Sequence, residues 1–385
     1  MVAEKNLFLT MNDIKDLLKW DFPGGVLSVY VDVEDRGKTA QQRWKALIKS
    51  GLNGLTEKNP HDKNLAKVIE TAHEELLNLP LEMRNRSLIY FRSLNPEKSF
   101  WRSLQLPVKN TFVWMNTAFL RPAVAILDEA PVMGIVILSR EMARIMTWHQ
   151  GLIEEKDEVK VELETGLENE PQAGAGVGQL SGSSADRFQH KVQVQINKKL
   201  GEVAAQMVKT AQEHNWQNII LMGSPKFTDT VEENLPAAMQ HKVVGILDKN
   251  YINASISKIE EATTELLHDW KRQREKQKVA ELLEIADSGG KAFTGLQKSI
   301  DALEQGRVDH FFFSSDLFVS GWRDTNGDIL VNLSEEEAEG LKVEPHIIER
   351  MVELSFESNA KITPLEGEAS EILKARGGAG VLLRY

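Results

Sequence analysis

The sequence contains no cysteine. This absence excludes disulfides, thiolate zinc sites and catalysis by a thiol, and it is typical of proteins that work in a reducing compartment. No apolar run approaches the roughly 20 residues that a helix needs to span a bilayer. The first twenty residues include acidic side chains and lack a long apolar core, so they do not look like a signal peptide. We therefore expect a cytoplasmic protein with no membrane segment.

Positive charge is also in short supply, with 46 Lys and Arg against 57 Asp and Glu and a formal net charge of −11. Binding to nucleic acid depends on Lys and Arg that neutralise phosphates, so this balance argues against a general nucleic-acid coat. It still allows RNA contact through local basic faces. The 385 residues, 42% of them hydrophobic, exceed one ordinary core and fit two or three domains.

The order of apolar patterns predicts a mixed α/β (α+β) protein of three domains. Residues 1–121 combine helices with strands such as Gly25–Val33, in which apolar and polar residues alternate. Residues 122–250 predict a mixed sheet flanked by helices, because hairpin-like strands are followed by a strand–helix–strand unit. Residues 251–385 alternate helices and strands over the length of one small domain. The hairpin-like strands are predicted at Ala123–Leu127, Met133–Leu138 and Ala143–Trp148, and a further helix at Asp229–Met239.

A loop rich in Gly and Ser, residues 172–184, runs directly into a long helix. Its glycines allow positive φ angles and close approach to another backbone. A flexible linker has the same composition, so the loop alone does not decide between a linker and a functional tip. A dinucleotide-binding site is not favoured, because no apolar strand precedes the AGAGVG run as that geometry requires.

The helix after this loop is amphipathic, and Ser184 is suited to be its N-cap. At about 100° per residue, one face is apolar and predicts packing on a sheet. The opposite face is basic and has two interpretations, an ordinary solvated face or a contact with RNA. The apolar face consists of Phe188, Val192, Ile196, Leu200, Val203, Met207 and Ala211. The basic residues on that side are Arg187, Lys191, Lys198 and Lys209, and His190 on the first turn is a further candidate for RNA contact.

Other candidate chemistry is sparse. The nine histidines form no HxxH or HExxH pair, so we expect neither a metal site nor a cofactor. The densest basic run begins at Lys271 on a predicted helix and offers Lys271, Arg272 and Arg274 for RNA contact. A solvated helix face has the same appearance, so this run is also open to two interpretations.

Taken in order, the middle and C-terminal segments resemble the bacterial relatives of the archaeo-eukaryotic release factor superfamily, which also contains Pelota. The resemblance implies a middle domain with a projecting Gly-rich loop and a C-terminal ribosomal-protein-like α/β sandwich. Residues 1–121 match only by position. The resemblance over residues 122–385 is carried by the loop with SADRF (Ser184–Phe188), by NIILMGSPKF (Asn218–Phe227), by DALEQGRVDHFFFSSDL (Asp301–Leu317) and by ARGGAGVLLRY (Ala375–Tyr385).

In the catalytic members of this family the loop enters the ribosomal peptidyl transferase centre. Its Gly-Gly-Gln helps to place water against the peptidyl-tRNA ester, which is catalysis by positioning and electrostatics. Aligning SADRF with the family motif puts Ser181, Gly182 and Ser183 where Gly-Gly-Gln stands, whereas the Gly-Gln of this loop is Gly178-Gln179. The catalytic Gln is thus either displaced by an insertion or absent. The resemblance makes Gly178, Gln179, Gly182 and Ser183 the candidate catalytic positions.

The resemblance implies three alternative functions. The first is a factor for translation termination or rescue that binds the ribosomal A site and hydrolyses the peptidyl-tRNA ester. The second is a non-catalytic Pelota-like factor for ribosome hibernation or protection. The third is a tRNA-directed quality-control hydrolase that uses the same loop. The implied partner is the ribosome, through rRNA and peptidyl-tRNA, and by resemblance alone a translational GTPase.

Overall fold

The computed structural model describes residues 8–20, 22–32, 40–79, 86–160, 181–325, 327–334 and 336–385. It divides the chain into two compact units, one made of Met1–Ala130 with Lys271–Tyr385 and the other of Pro131–Trp270. The three domains predicted at 1–121, 122–250 and 251–385 stay a prediction. No helix in the described ranges has the length and apolar character needed to cross a membrane.

The elements follow one another as a mixed α/β chain. The helices are α1 (Met11–Leu18), α2 (Ala40–Lys58), α3 (Lys63–Asn78), α4 (Arg121–Glu129), α5 (Ser181–Glu213), α6 (Pro225–Glu233), α7 (Ala237–Gln240), α8 (Ile256–Asp287), α9 (Leu296–Glu304), α10 (Ile347–Glu357) and α11 (Gly367–Lys374). The strands are β1 (Val26–Asp32), β2 (Ser87–Ser93), β3 (Ser99–Leu104), β4 (Thr111–Met115), β5 (Met133–Leu138), β6 (Met142–His149), β7 (Leu152–Lys160), β8 (Asn218–Met222), β9 (Val243–Leu247), β10 (Ala292–Thr294), β11 (Val308–Ser314), β12 (Gly321–Arg323), β13 (Ile329–Leu330), β14 (Lys342–Glu344), β15 (Lys361–Leu365) and β16 (Ala379–Leu383).

The N-terminal part of the first unit is an antiparallel sheet of order β3-β2-β1-β4. Successive side chains of a strand point to opposite faces, so the apolar run of β1 fills two layers. Val29 and Val31 pack with Trp44 of α2 and Leu65 of α3 on one face. Tyr30 belongs to a different core cluster, which places it on the other face.

The C-terminal part of the first unit is a sheet of order β10-β16-β11-β15, in which β11 and β15 run parallel. Phe311 and Phe313 of β11 share a core cluster with residues of α9 and α10. Phe312 points the other way and packs with Val279 of α8 and Leu373 of α11. A sheet between two helical layers is the α/β sandwich expected for this segment. A small sheet of order β13-β12-β14 completes the unit.

The second unit is the mixed sheet expected from the sequence. Its order is β7-β6-β5-β8-β9, with parallel pairs β5–β8 and β8–β9 and antiparallel pairs β5–β6 and β6–β7. Helix α5 packs on this sheet through the predicted apolar face. Five of the seven residues of this face are buried, and Val192 is half-buried against the same core. The side chain of Phe188 lies outside the described residues. The five buried residues are Ile196, Leu200, Val203, Met207 and Ala211.

Two secondary-structure predictions in the middle segment are wrong, and one strand is missing from the predictions. The predicted strand Ala123–Leu127 is helix α4, because Pro122 lies in its first turn, where a fixed φ and a missing N–H favour a helix start. The predicted helix Asp229–Met239 is interrupted before Pro236, which cannot donate a helical hydrogen bond. The predictions include no strand at Leu152–Lys160, which forms β7, an edge strand whose exposed side chains are polar.

Candidate functional site

Helix α5 carries most of the residues that the sequence singles out. Its backbone is helical from Ser181, so Gly182 and Ser183 lie in the first turn. Ser184 is the fourth helical residue, and the expectation that it caps the helix is wrong. The first N–H groups of a helix have no intrahelical acceptor, so Gly and Ser destabilise the first turn less than they would the helix interior. Gly178 and Gln179 lie outside the described residues, and the catalytic role of all four positions stays a prediction.

The C-terminal part of α5 is the part held by the sheet. Ile196, fifteen residues after Ser181, is the first buried residue among the described side chains of this helix. Fifteen residues correspond to about 22 Å along a helix axis. His190, Lys191 and Val194 are exposed within this stretch. Among the described side chains of α5, full burial in the sheet core therefore begins at Ile196.

Three lysines form a line along the exposed side of α5. Lys191, Lys198 and Lys209 are all exposed, as is His190, and we name these four residues the basic face. The eighteen residues from Lys191 to Lys209 make five full turns at about 100° per residue. The three ammonium groups thus share one direction over about 27 Å at 1.5 Å per residue. The side chain of Arg187, predicted to extend this line, lies outside the described residues.

Two carboxylates lie near the basic face without neutralising it. Glu202 pairs with Lys199, at 3.0 Å between Nζ and Oε2, rather than with a lysine of the basic face. Glu213 approaches Lys209 to 4.0 Å, and both side chains are more than half exposed. Exposed pairs of this kind contribute at most about 1 kcal/mol. A phosphate can therefore replace Glu213 at Lys209 at little cost.

The second basic run, on α8, is used within the first unit. Lys271 Nζ lies 3.3 Å from Glu366 and 3.6 Å from Glu275. Arg274 Nη2 donates to Asp128 Oδ1 of α4 at 3.0 Å. Arg272 is exposed. Two of the three residues proposed for RNA contact are thus engaged in holding α8 to its neighbours, and their RNA-binding role stays a prediction.

A buried polar network, not predicted from the sequence, surrounds Thr363 of β15. Its hydroxyl lies 2.9 Å from His310 Nε2 and accepts from Lys278 Nζ at 3.2 Å. Burial lowers the pKa of His310 to about 3, and the positive charge of Lys278 acts in the same direction. The imidazole is therefore neutral near pH 7. In the part of the chain that is described, no three His, Asp or Glu side chains cluster as a metal site would need.

Comparison with known proteins locates the resemblance in the segment that contains α5. Residues 119–267 match the model of bacterial archaeo-eukaryotic release factor family 10. The resemblance to this family is thereby confirmed, over a segment from the start of α4 into α8. No curated protein matches the chain significantly.

Three of the solved structures that are similar to this chain are a translation termination factor, a Pelota and Dom34, all of low sequence identity. The archaeal translation termination factor aRF1 is 16% identical, with 97% of this chain and 96% of that chain covered and a TM-score of 0.24. Archaeoglobus fulgidus Pelota is 15% identical, with 78% and 79% covered and a TM-score of 0.35. Saccharomyces cerevisiae Dom34, a termination-like factor in RNA quality control that interacts with Hbs1, is 12% identical, with 74% and 72% covered and a TM-score of 0.39.

Proposed function

We propose, from the match of residues 119–267 to the bacterial archaeo-eukaryotic release factor family, that the protein binds the ribosomal A site in translation termination or rescue. In this proposal it hydrolyses the peptidyl-tRNA ester. The observation that carries the proposal is the basic face of α5, a straight line of exposed lysines on the helix that follows the Gly-rich loop. Such a line suits the phosphates of rRNA or tRNA, because each lysine can neutralise one phosphate.

In this proposal the sheet core, the Gly-Gln pair and the lysines of this segment have different roles. The sheet core anchors α5 from Ile196 onward, so the helix is a firm support for the residues before it. In the proposal, Gly178 and Gln179 act at the ester by placing a water molecule, which requires no nucleophilic side chain. The lysines act earlier, by binding and orienting the protein on RNA.

One observation favours the non-catalytic alternative, a Pelota-like hibernation or protection factor. The residues that align with Gly-Gly-Gln are Ser181, Gly182 and Ser183, and they are helical. A helical first turn lacks the free backbone that a Gly-Gly pair provides next to the ester. If Gln179 is not the displaced catalytic residue, the protein binds the A site without releasing peptide. The tRNA-directed hydrolase, the GTPase partner and the cytoplasmic location stay predictions.

Ribosome binding at several salt concentrations tests the role of the basic face. The triple variant K191A/K198A/K209A should bind ribosomes more weakly at low salt. The slope of log affinity against log salt should become shallower by about two, since each lost contact with single-stranded RNA removes about 0.7. The matched control replaces three exposed lysines elsewhere in the second unit, Lys226, Lys249 and Lys258, with Ala. Equal slopes for the two triple variants would remove the basic face from the interface.

Peptide release separates the two leading functions. Wild-type protein and Gln179→Ala are added to ribosomes stalled with peptidyl-tRNA, and free peptide is measured. Release by the wild type that Gln179→Ala abolishes supports the esterase. Ribosome binding without any release by the wild type supports the hibernation factor. Absence of ribosome binding at low salt would reject both.

A further inference from the structure

A cavity of about 460 Å³ lies within the first unit. It is lined by α1 and the residues that follow it, by the turn after β4, and by α10. Trp20 and Phe22 line it edge to face, with ring centroids 6.0 Å apart, and Phe356 of α10 adds a third ring. Cavities of about 300–1,000 Å³ with a mainly apolar lining are typical of small-molecule sites. The aromatic lining suits a flat ring.

Hydrogen-bond donors and acceptors lie next to each other in this cavity. Arg350 Nη1 donates to Glu353 Oε2 at 2.9 Å and to Glu357 Oε1 at 3.1 Å. Glu353 is only 16% exposed, and burial raises the pKa of its carboxyl group. Arg350 and Glu353 also line an adjoining cavity of about 220 Å³. A ligand in the larger cavity thus contacts the largely buried carboxylate of Glu353 next to the guanidinium group of Arg350.

Two ammonium groups also line the cavity, one from α1 and one from the residue that follows it. Lys15 Nζ donates to the side-chain oxygen of Asn359 at 3.3 Å. Lys19 pairs with Asp16 at 2.9 Å, and both of these side chains are about two-thirds exposed or more. Such an exposed pair is weak, so Lys19 is available to a ligand of higher negative charge. The cavity therefore offers positive charge next to its aromatic and hydrogen-bonding groups.

We propose that this cavity binds the guanine base of a nucleotide. Guanine presents two adjacent donors, N1–H and the 2-amino group, which match the two acceptor oxygens of Glu353. Its O6 lies beside N1–H and accepts from Arg350. The ring stacks on Trp20, as bases stack on aromatic side chains in nucleic-acid sites. The phosphate faces Lys15 and Lys19.

The same geometry rejects adenine. Adenine has an acceptor nitrogen at N1 and no 2-amino group, so it would set a lone pair against the carboxylate of Glu353. An unpaired buried polar group of this kind lowers affinity strongly. The cavity shares no residue with the basic face of α5, and the inference does not rest on the proposed ribosomal function.

Titration calorimetry with GMP, IMP and AMP tests the proposal on the full-length protein. GMP should bind, IMP should bind at least tenfold more weakly because it lacks the 2-amino group, and AMP should show no heat of binding. Glu353→Gln should lower the GMP affinity at least tenfold, whereas Glu70→Gln, at an exposed glutamate of α3 that does not line the cavity, should leave it unchanged. No GMP binding at millimolar concentration, or equal affinities for GMP and AMP, overturns the proposal.

Variants at the exposed Lys15 and Lys19 keep the test independent of folding. The double variant K15A/K19A should weaken GMP at least fivefold and leave guanosine, which has no phosphate, unaffected. Trp20→Phe should retain GMP binding, since it retains the ring, and Trp20→Ala should lose it. A single-stranded trinucleotide with a central guanosine distinguishes RNA from free nucleotide as the source. Tighter binding than GMP with the same dependence on Glu353 supports the site and assigns it to RNA.

Discussion

The ion pair between Arg121 and Glu349 joins the start of α4 to α10, and its removal should destabilise the first unit. The two side chains are 6% and 3% exposed. Arg121 Nε donates to Glu349 Oε1, and Arg121 Nη1 donates to the carbonyl oxygen of Leu317 at 2.6 Å. The N–H of Leu120 donates to Glu349 Oε2 at 3.3 Å. Removal of either partner leaves the other charge buried and unpaired.

The cost of that unpaired charge sets the expected magnitude. Breaking a buried ion pair from one side costs about 3–5 kcal/mol, whereas replacing both partners by apolar residues is often nearly neutral. At pH 8, where Glu349 is ionised, we expect Arg121→Met and Glu349→Leu each to fall in this range and the double variant to cost less than their sum. Arg121→Met should be the worse of the two, because it also loses the bond to Leu317 and the contact of the guanidinium with Phe318, 4.3 Å from the ring centroid.

The same pair makes stability depend on pH with a definite sign. Burial raises the pKa of Glu349 to about 7, and Arg121 opposes this only in part. The folded protein therefore binds this proton more readily than the unfolded chain does. The contribution of Glu349 to stability falls as pH rises from about 4.5 to about 7, by on the order of 3 kcal/mol at 1.36 kcal/mol per unit. Glu349→Gln, which does not titrate, should flatten this part of the profile.

Urea unfolding at pH 5 and pH 8, followed by circular dichroism, measures these effects as differences between wild type and variant. Glu368→Gln is the matched control, because it breaks an exposed pair with Lys276, 2.5 Å long, which is worth at most about 1 kcal/mol. Single variants at Arg121 or Glu349 that cost no more than this control at pH 8 would refute the reasoning. An unchanged pH profile in Glu349→Gln would refute the assignment of the titration to this carboxyl.

Two further predictions concern packing and protonation. Gly134→Ala would place its Cβ 2.1 Å from the ring of Trp216, so we expect a loss of at least about 1–3 kcal/mol by thermal unfolding. Gly54→Ala in α2, where a Cβ meets nothing within 4 Å, should gain about 0.5–1 kcal/mol. The ring protons of His310 should show no titration by NMR between pH 8 and 5, because burial lowers its pKa to about 3. A titration midpoint near the usual pKa of about 6.5 would contradict the burial of this ring.

The sequence predicted the elements whose pattern is set by burial. The apolar face of α5 from Ile196 and the strands predicted at Met133–Leu138 and Ala143–Trp148 (β5 and β6) are confirmed, because each must hide a row of apolar side chains. The failures have local causes. Strand β7 lies at an edge and is largely polar, so pairing with β6 rather than burial defines it. Residues Ala123–Leu127 have a strand-like pattern but form part of α4, because Pro122 in the first turn favours a helix start.

The candidate binding groups were harder to predict because chain folding, and no local motif, assembles them. The cavity brings Trp20, which follows α1, to Glu353 of α10, more than three hundred residues later. The network at Thr363 joins β15 to His310 of β11 and Lys278 of α8. Neither set has a spacing that a single sequence reveals. The loop before α5 differs, because its motif is contiguous in the sequence. Its resemblance to the release factor family can therefore be recognised without knowledge of the fold.

The two basic runs show why charge density along a sequence is a weak guide to a binding surface. The denser run, on α8, lies where carboxylates of other elements approach it, and Arg274 and Lys271 pair with Asp128 and Glu366. These pairs satisfy positive charge inside the unit. The sparser basic face of α5 has a spacing of seven and eleven residues, which keeps Lys191, Lys198 and Lys209 in one line and exposed. Helical periodicity combined with burial, rather than the number of lysines, therefore decides which basic run stays exposed along one line.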